Sequence, residues 1–134
     1  MDVKLASQPR GMDVKEDTII TGSVKEITVV QNGRKVSTLP VNYEPSCVAI
    51  NPNNSDVAIG GAVDNKVHIY TLTGSNLSPK TELEHLGALT DCSYSPCGEY
   101  LVACDAYRKV ILYKSFDYQV RVKKFCYMIK QKIF

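Results

Sequence analysis

The 134-residue sequence predicts an all-β fold, a partial β-propeller of about three four-stranded blades in a ring that is not closed. Residues 49–61 (AINPNNSDVAIGG) and 93–105 (SYSPCGEYLVACD) share one scheme, in which polar turn-forming residues separate two apolar segments. This scheme recurs at an offset of 44 residues, and a period of about 40–45 residues is typical of propeller blades. No window shows the strong apolar periodicity of an amphipathic helix.

The first part of the sequence is expected to contain one strand of a blade and the whole of the next blade. Residues 3–7 (VKLAS) resemble an outer strand, so residues 1–8 are assigned to a preceding blade. Residues 9–41 are assigned to a complete blade, because the segments 18–22 (TIITG) and 26–30 (EITVV) form a weaker copy of the repeat with a shorter first turn.

Residues 42–86 show the repeat most clearly and are assigned to the middle blade. Residues 47–50 are apolar at every position, as in an inner strand that is covered on both faces. Residues 53–56 (NNSD) supply a turn, and residues 67–72 then alternate with the period of a strand. Residues 81–86 (TELEHL) alternate between more polar and more apolar side chains, which predicts a half-exposed outer strand.

Residues 87–118 are assigned to the last blade, since the segment 109–113 (KVILY) corresponds to 66–70 (KVHIY) once one residue of the preceding turn is deleted. Residues 119–134 are assigned to a divergent basic tail. Residues 118–122 also alternate in a way that suits an outer strand, so the end of this blade stays open.

Three blades cannot close a ring, because closed propellers typically have about 4–8 blades. The sheets at the two ends are therefore expected to keep a bare apolar face. From this we expect the chain to be a segment of a longer protein.

The composition excludes several classes of protein. With 44% apolar and 22% charged residues the chain is neither disordered nor membrane-spanning, and a cytoplasmic location is expected. Five of the 16 Lys and Arg residues follow Asp117, which leaves 11 basic against 14 acidic residues, a net charge of −3, in the rest of the chain. A net negative charge over residues 1–117 argues against binding to nucleic acid, whose phosphates attract basic surfaces.

No cofactor, metal or catalytic constellation is predicted. The cysteines are odd in number and none forms a C-x-x-C pair, so buried reduced thiols are expected rather than a zinc site or disulfides. Residues 95–98 (SPCG) are predicted to be a hairpin turn. His68 has no obvious carboxylate partner in the sequence and is expected to be a half-buried strand residue. The protein is not expected to be an enzyme.

Two long segments resemble a known family. Residues 41–70 (VNYEPSCVAINPNNSDVAIGGAVDNKVHIY) and 89–113 (LTDCSYSPCGEYLVACDAYRKVILY) are similar to the second half of the actin-interacting protein 1 family, also called WD repeat-containing protein 1. The resemblance covers about residues 3–118. It implies three consecutive blades of the second of two seven-bladed propellers. It also implies cytoskeletal location, binding to actin filaments, and assistance to cofilin in filament disassembly.

The sequence departs from the usual WD repeat, because it contains no Trp. Tyr70 and Tyr113 stand where the repeat has Trp, and His85 stands near the place of its His. Asp64 and Asp105 could serve as the turn acids of the repeat. A generic WD-repeat scaffold in another complex is therefore the alternative function.

Propellers bind partners through the turns at the ends of their blades, so two turns are the candidate sites. The residues concerned are Asp64, Asn65 and Lys66 in one turn, and Tyr107, Arg108 and Lys109 in the other. The alternative is that both are ordinary solvated turns. The basic tail could bind a membrane surface or an anionic partner. The preferred interpretation is that the tail has no function of its own, so no membrane partner is expected.

Overall fold

The structure is a computed structural model that describes residues 2–124. Twelve strands form three four-stranded sheets, and the described residues contain no helix. The first sheet consists of β1 (Gly11–Lys15), β2 (Thr18–Ser23), β3 (Glu26–Gln31) and β4 (Arg34–Pro40). The second consists of β5 (Pro45–Ile50), β6 (Asp56–Gly61), β7 (Lys66–Thr73) and β8 (Asn76–Glu84). The third consists of β9 (Leu89–Tyr94), β10 (Tyr100–Asp105), β11 (Val110–Lys114) and β12 (Gln119–Lys124). The predicted partial propeller is confirmed.

Each sheet is an antiparallel meander in which consecutive strands pair. One irregularity of the strand pairing repeats from blade to blade. In every blade a register shift interrupts the pairing of the third strand with the fourth, at Val29/Val30, Ile69/Tyr70 and Leu112/Tyr113. A β-bulge increases the local twist of a sheet. All three blades are therefore expected to have extra twist between their third and fourth strands.

The blades pack face to face, and their inner strands β1, β5 and β9 are neighbours. One core cluster, which includes Ile20, Ile27 and Ile59, lies between the first and second blades. A second cluster, which includes Ile69 and Leu101, lies between the second and third. Alternate residues of each strand of the middle blade enter the two clusters, because successive side chains of a strand point to opposite faces.

Polar contacts also join the second and third blades at the end where the first and second strands of each blade meet. The buried amide of Asn51 donates a hydrogen bond to the carbonyl of Gly98 at 2.9 Å. The carboxylate of Asp56 accepts hydrogen bonds from the Tyr118 hydroxyl at 2.5 Å and from Lys80 Nζ at 3.0 Å. Because Asp56 is buried, these donors offset the cost of removing its charge from water.

The structure corrects the predicted beginning of the chain. Residues 3–7 form no strand, and the first strand starts at Gly11. A strand needs a neighbour to satisfy its backbone groups, and no strand of the described chain pairs with this segment. The alternation of half-buried and exposed residues from Asp2 to Ser7 is nevertheless that of an extended segment.

Two outer strands also differ from the prediction. In the middle blade the outer strand β8 starts at Asn76 rather than at residue 81, because β7 continues to Thr73 and a short turn at Gly74 follows. In the third blade β12 (Gln119–Lys124) pairs with β11. The first six residues assigned to the basic tail are therefore the outer strand, and the prediction for 125–134 lies outside the described residues.

The outward faces of the two end blades are mostly buried. On the first blade Val14 of β1 is exposed, but Val30, which lies on the same face, is only 4% exposed, so the predicted bare face is limited to its inner strand. On the third blade the prediction of a bare face is wrong, because Val102 and Leu112 are only 8% and 3% exposed. They pack with neighbouring side chains of the same face, including Tyr100.

Candidate functional site

The meander places corresponding turns of all three blades at one end of the molecule. In a run of antiparallel strands, the turn between the second and third strands and the connection to the next blade lie at the same end. We call this end the upper surface. In the last two blades it comprises residues 62–66, the connection 85–88 and residues 106–109. Both turns predicted as candidate sites lie on it.

The first of these turns is fixed by its own side chains and by the connection to the third blade. Asn65 adopts a left-handed backbone conformation with φ of 60°, which asparagine tolerates better than most residues. The amide of Lys66 donates to Asp64 Oδ1 at 3.3 Å, and the amide of His85 donates to the Asn65 carbonyl at 2.8 Å. The Asn65 side chain donates in turn to the carbonyl of Leu86 at 3.5 Å.

The second turn is built around Asp105, the last residue of β10. Its Oδ1 accepts hydrogen bonds from the amides of Tyr107 at 2.8 Å and Lys109 at 3.1 Å. Between them Arg108 has a φ of 66°, and its amide donates to the Asp105 carbonyl at 3.1 Å. These bonds satisfy the backbone of the turn, so the side chains of Tyr107, Arg108 and Lys109 are left pointing into solvent.

The connection between the blades links the two turns into one surface. Leu86 accepts the hydrogen bond from Asn65. Next to it, a Cβ added to Gly87 would lie 2.5 Å from Cδ2 of Tyr107, so the Tyr107 ring rests directly on the Gly87 backbone. The surface is therefore continuous from the first turn through the connection to the second.

A buried hydrogen-bonded network supports the second turn from below. His85 Nδ1 lies 3.0 Å from Asp105 Oδ2, and both side chains are fully buried. Because an ionised carboxylate can only accept, His85 Nδ1 donates to Asp105, and His85 Nε2 shares a hydrogen bond of 3.0 Å with the Tyr113 hydroxyl. His85, Asp105 and Tyr113 thus occupy the places of the WD-repeat His, Asp and Trp that the sequence suggested.

The charge distribution of this network follows from its burial. Burial alone would raise the pKa of Asp105, but the hydrogen bonds from His85 and from the turn amides outweigh it and hold that pKa below its usual value. Burial, together with the nearby Asp105 charge, raises the pKa of Tyr113 to about 12. The carboxylate is therefore ionised and the phenol protonated at neutral pH.

The middle blade has a different network, which corrects the prediction for His68. Its Nε2 lies 2.6 Å from Asp64 Oδ2 and its Nδ1 lies 3.5 Å from Glu82 Oε2, so His68 has two carboxylate partners. The ring stacks on Tyr43 with centroids 3.7 Å apart, and the Tyr43 hydroxyl contacts that of Tyr70 at 2.5 Å. Glu82 was not predicted as a partner of His68, because Glu82 lies on β8 and the two residues become neighbours only when β8 pairs with β7.

Two of the predicted site residues are engaged within the blade. The Asp64 carboxylate faces His68, and Lys66 Nζ lies 3.2 Å from Glu82 Oε1. Arg108 and Lys109 differ, because no acidic side chain within residues 2–124 pairs with either. Of the six candidates, Tyr107, Arg108 and Lys109 are the ones free to contact a partner.

Two apolar residues of this surface were not predicted. Val63 is 72% exposed and Leu86 is 64% exposed, and both flank residues of the two turns, where Tyr107 is 69% exposed. A large apolar side chain in a short turn is unusual, so the sequence could have marked Val63 as a candidate binding residue. Leu86 was not recognised as a candidate because residues 81–86 alternate like a strand and were assigned to one. Together with Tyr107 they give the upper surface three exposed apolar or aromatic side chains.

The His85–Asp105 pair resembles a catalytic dyad, but it is fully buried and its third member is Tyr113. Within residues 2–124 no group of three His, Cys, Asp or Glu side chains could hold a metal ion. The same part of the chain contains no helix long and apolar enough to span a membrane. The Ser95–Gly98 turn is confirmed as a hairpin, closed by a 2.9 Å bond from the Gly98 amide to the Ser95 carbonyl.

The sequence is similar to curated proteins over most of its length, although no family model matches it. It is 54% identical over 119 residues to actin-interacting protein 1 of Drosophila melanogaster, which covers 87% of this chain and 19% of that protein. It is 38% identical over 112 residues to actin-interacting protein 1 of Caenorhabditis elegans, with 82% and 18% covered. It is 34% identical over 118 residues to WD repeat-containing protein 1-B of Xenopus laevis, with 86% and 19% covered. The chain spans about one fifth of the length of these relatives.

Solved structures establish the fold independently. The WD40 repeats of RRP9 superimpose with a TM-score of 0.82 at 14% identity, covering 92% of this chain and 40% of that one. The structure of U3-55K gives the same score and identity and covers 41% of that chain. At this identity the likeness concerns the fold alone. The chain is therefore a set of WD-repeat propeller blades that is homologous, over most of its length, to part of actin-interacting protein 1 and WD repeat-containing protein 1.

Proposed function

We propose that this chain is part of a non-enzymatic WD-repeat protein of the cytoplasm and cytoskeleton that binds actin filaments and assists cofilin in disassembling them. Support for actin comes from the names of the relatives, at 54% and 38% identity. The role of cofilin is what the family resemblance implies.

The upper surface is the part of the chain that we propose to contact the filament. The observation that carries this proposal is that Val63, Leu86 and Tyr107 are each more than 60% exposed within one continuous surface. Isolated exposed apolar residues need no explanation, but a cluster rimmed by polar residues is typical of a protein-binding site. Tyr and Arg are also the side chains that most often dominate binding energy.

The rigidity of the surface supports the same proposal. The Tyr107 turn is fixed by Asp105, which is itself held by His85 and Tyr113 beneath it. Side chains that are ordered before binding lose less conformational entropy on binding. Arg108 and Lys109 lack acidic partners in the described chain, so the proposed contact on the partner is acidic with an apolar centre.

Co-sedimentation with actin filaments tests the proposal. We expect Tyr107→Ala, made in the full-length protein, to weaken filament binding about tenfold or more, because a central aromatic contact contributes about 2 kcal/mol. The matched control is Phe116→Ala in the same blade. Phe116 is 88% exposed but lies in the β11–β12 turn at the opposite end. Equal binding of both variants and the parent protein would contradict the assignment of the surface.

The assay repeated with cofilin separates the proposed function from its alternative. If the protein assists disassembly, cofilin should release more actin from the pellet when the protein is present, and Tyr107→Ala should reduce this increase. The alternative is a WD-repeat scaffold for another complex, favoured by the generic propeller architecture. That alternative predicts no binding to filaments and no effect on disassembly with or without cofilin.

A further inference from the structure

Two buried thiols lie in the interface between the second and third blades. Cys47 on β5 and Cys92 on β9 are each 6% exposed and belong to the same core cluster. The strands β5 and β9 are the inner strands of adjacent blades and are neighbours in the fold. Each thiol therefore comes from a different blade and points into the same interface.

Both sulfur atoms lie over the same stretch of β6. A Cβ added to Gly60 would lie 2.3 Å from Cys47 Sγ, so the sulfur occupies the space that the glycine leaves open. Cys92 Sγ lies 3.9 Å from the carbonyl oxygen of Ala58. Ala58 and Gly60 are two residues apart on one strand and so share a face, which places the two sulfur atoms side by side.

The two thiols also interact with each other, and the interaction makes them unequal. A hydrogen bond with Cys92 lowers the pKa of Cys47, whereas the same bond and burial raise the pKa of Cys92. The Ser46 hydroxyl, 3.9 Å from Cys47 Sγ, adds to the lowering. Thiol oxidation and disulfide exchange proceed through the thiolate, so Cys47 is the more reactive member.

We infer that Cys47 and Cys92 form an oxidation site, at which a peroxide converts the two adjacent thiols into a disulfide that joins the second and third blades. Nothing in the proposed binding function requires this pair, because it lies in the core rather than on the upper surface. The other described cysteines, Cys97 and Cys104, are not in that cluster.

The reaction balances with one molecule of hydrogen peroxide. The Cys47 thiolate attacks one peroxide oxygen, the O–O bond breaks, and the hydroxide that leaves takes up the proton released by Cys47 to become water. This leaves a sulfenic acid on Cys47. The Cys92 sulfur then attacks the Cys47 sulfur, the S–O bond breaks, and the hydroxide leaves as water with the Cys92 proton. Two thiols are oxidised and one peroxide is reduced to two waters.

The disulfide would change the stability of the chain and leave its surface unchanged. A disulfide between β5 and β9 closes a loop through most of the second blade, which restricts the unfolded chain. We therefore expect the oxidised protein to melt at a higher temperature than the reduced one. Dithiothreitol should reverse the increase.

Intact-mass spectrometry and peptide mapping of the unsubstituted 134-residue chain provide the test. After treatment with hydrogen peroxide at neutral pH, we expect a species about 2 Da lighter, in which one cross-linked peptide pair contains Cys47 and Cys92. This result needs no variant, so it does not depend on whether a substitution disturbs folding. Cross-links that involve only Cys97, Cys104 or Cys126, or no loss of mass, would overturn the inference.

Substitutions assign the order of the two steps. In Cys92→Ser the mass loss should disappear and Cys47 should remain as a sulfenic acid, which dimedone labels. The matched control Cys97→Ser removes an exposed thiol and should leave the Cys47–Cys92 bond intact. A persistent mass loss of about 2 Da in Cys92→Ser would contradict the pairing.

Discussion

Asp105 illustrates how one side chain connects the core to the upper surface. Its Oδ2 meets His85 in the core, and its Oδ1 holds the amides of Tyr107 and Lys109 in the turn above. A hydrogen bond to a charged group contributes about 1.5–3 kcal/mol to the free energy of unfolding. We therefore regard Asp105 as the residue on which the shape of the turn most depends.

The substitution Asp105→Asn tests this at the level of stability. The amide keeps the size of the side chain but removes the charge, so we expect the free energy of unfolding to fall by about 2 kcal/mol at pH 7. Urea denaturation measures the change. Asp117→Asn is the control, because that carboxylate is exposed and holds only local bonds; a loss as large as that of Asp105→Asn would contradict the role given to burial.

The same residue predicts a pH dependence. The pKa of Asp105 in the folded state lies below its usual value of 3.8. Its contribution to stability is therefore complete above about pH 4 and is lost as the pH falls through the folded-state pKa. We expect the difference in unfolding free energy between the parent chain and Asp105→Asn to be constant from pH 7 to about pH 5 and to shrink below pH 4. A difference that instead grows below pH 4 would show the opposite sign of linkage.

At the level of the strands, close packing of the blades depends on glycine at Gly60. An added Cβ would lie 2.3 Å from Cys47 Sγ and 2.8 Å from the Cβ of Leu89 on the next blade. We expect Gly60→Ala to destabilise the chain by about 1–3 kcal/mol, because overpacking moves the sheets apart. Urea denaturation measures the change in unfolding free energy. Gly74→Asn is the control, because no atom lies within 4 Å of a Cβ added at Gly74 and asparagine tolerates the φ of +64° at this position. Equal effects of the two changes would contradict the packing argument.

The strands were largely predictable from the sequence, and the reasons for the exceptions are physical. The segments 47–50 and 67–72 carry their pattern locally, and both are strands in the structure. Residues 3–7 have a strand-like pattern but no neighbour, and pairing is a property of the fold rather than of the segment. The start of β8 at Asn76 was missed because the hairpin turn at Gly74 was not recognised.

The candidate site was less predictable than the strands. The positions of the two turns followed from the repeat, which also suggested His85 for the WD-repeat His and left Asp64 and Asp105 as possible turn acids; the structure brings Asp105 to His85. The partners of His68 were not anticipated, because Asp64 reaches it across a turn and Glu82 comes from a neighbouring strand. Leu86 was expected inside the outer strand, but β8 ends at Glu84, two residues earlier, so Leu86 lies in the connection and is exposed.

At the level of the whole molecule, the exposed apolar side chains of the inner strand β1 have a consequence for association. Met12 and Val14 are 59% and 51% exposed, and the hydroxyl of Thr21 on the same face is buried without a hydrogen-bond partner in the described chain. Exposed apolar sheet faces promote association. We therefore expect the isolated 134-residue chain to form dimers or larger species at micromolar concentration.

Sedimentation velocity measures this association. The double substitution Met12→Glu and Val14→Lys should shift the chain toward the monomer without lowering its free energy of unfolding, because both side chains are already in solvent. The matched control places the same charges at Val63 and Leu86 on the upper surface, which should leave association unchanged. A monomeric parent chain at all concentrations would contradict the role of this face.

We propose that the blades present one end, the upper surface, to an actin filament. Amide hydrogen exchange of the full-length protein, measured with and without actin filaments, distinguishes the two ends. We expect slower exchange on filament binding in residues 62–66, 85–88 and 106–109, and unchanged exchange in the opposite turns at 51–55 and 115–118. Slower exchange confined to the opposite turns, or no change in either set while the protein is bound, would contradict it.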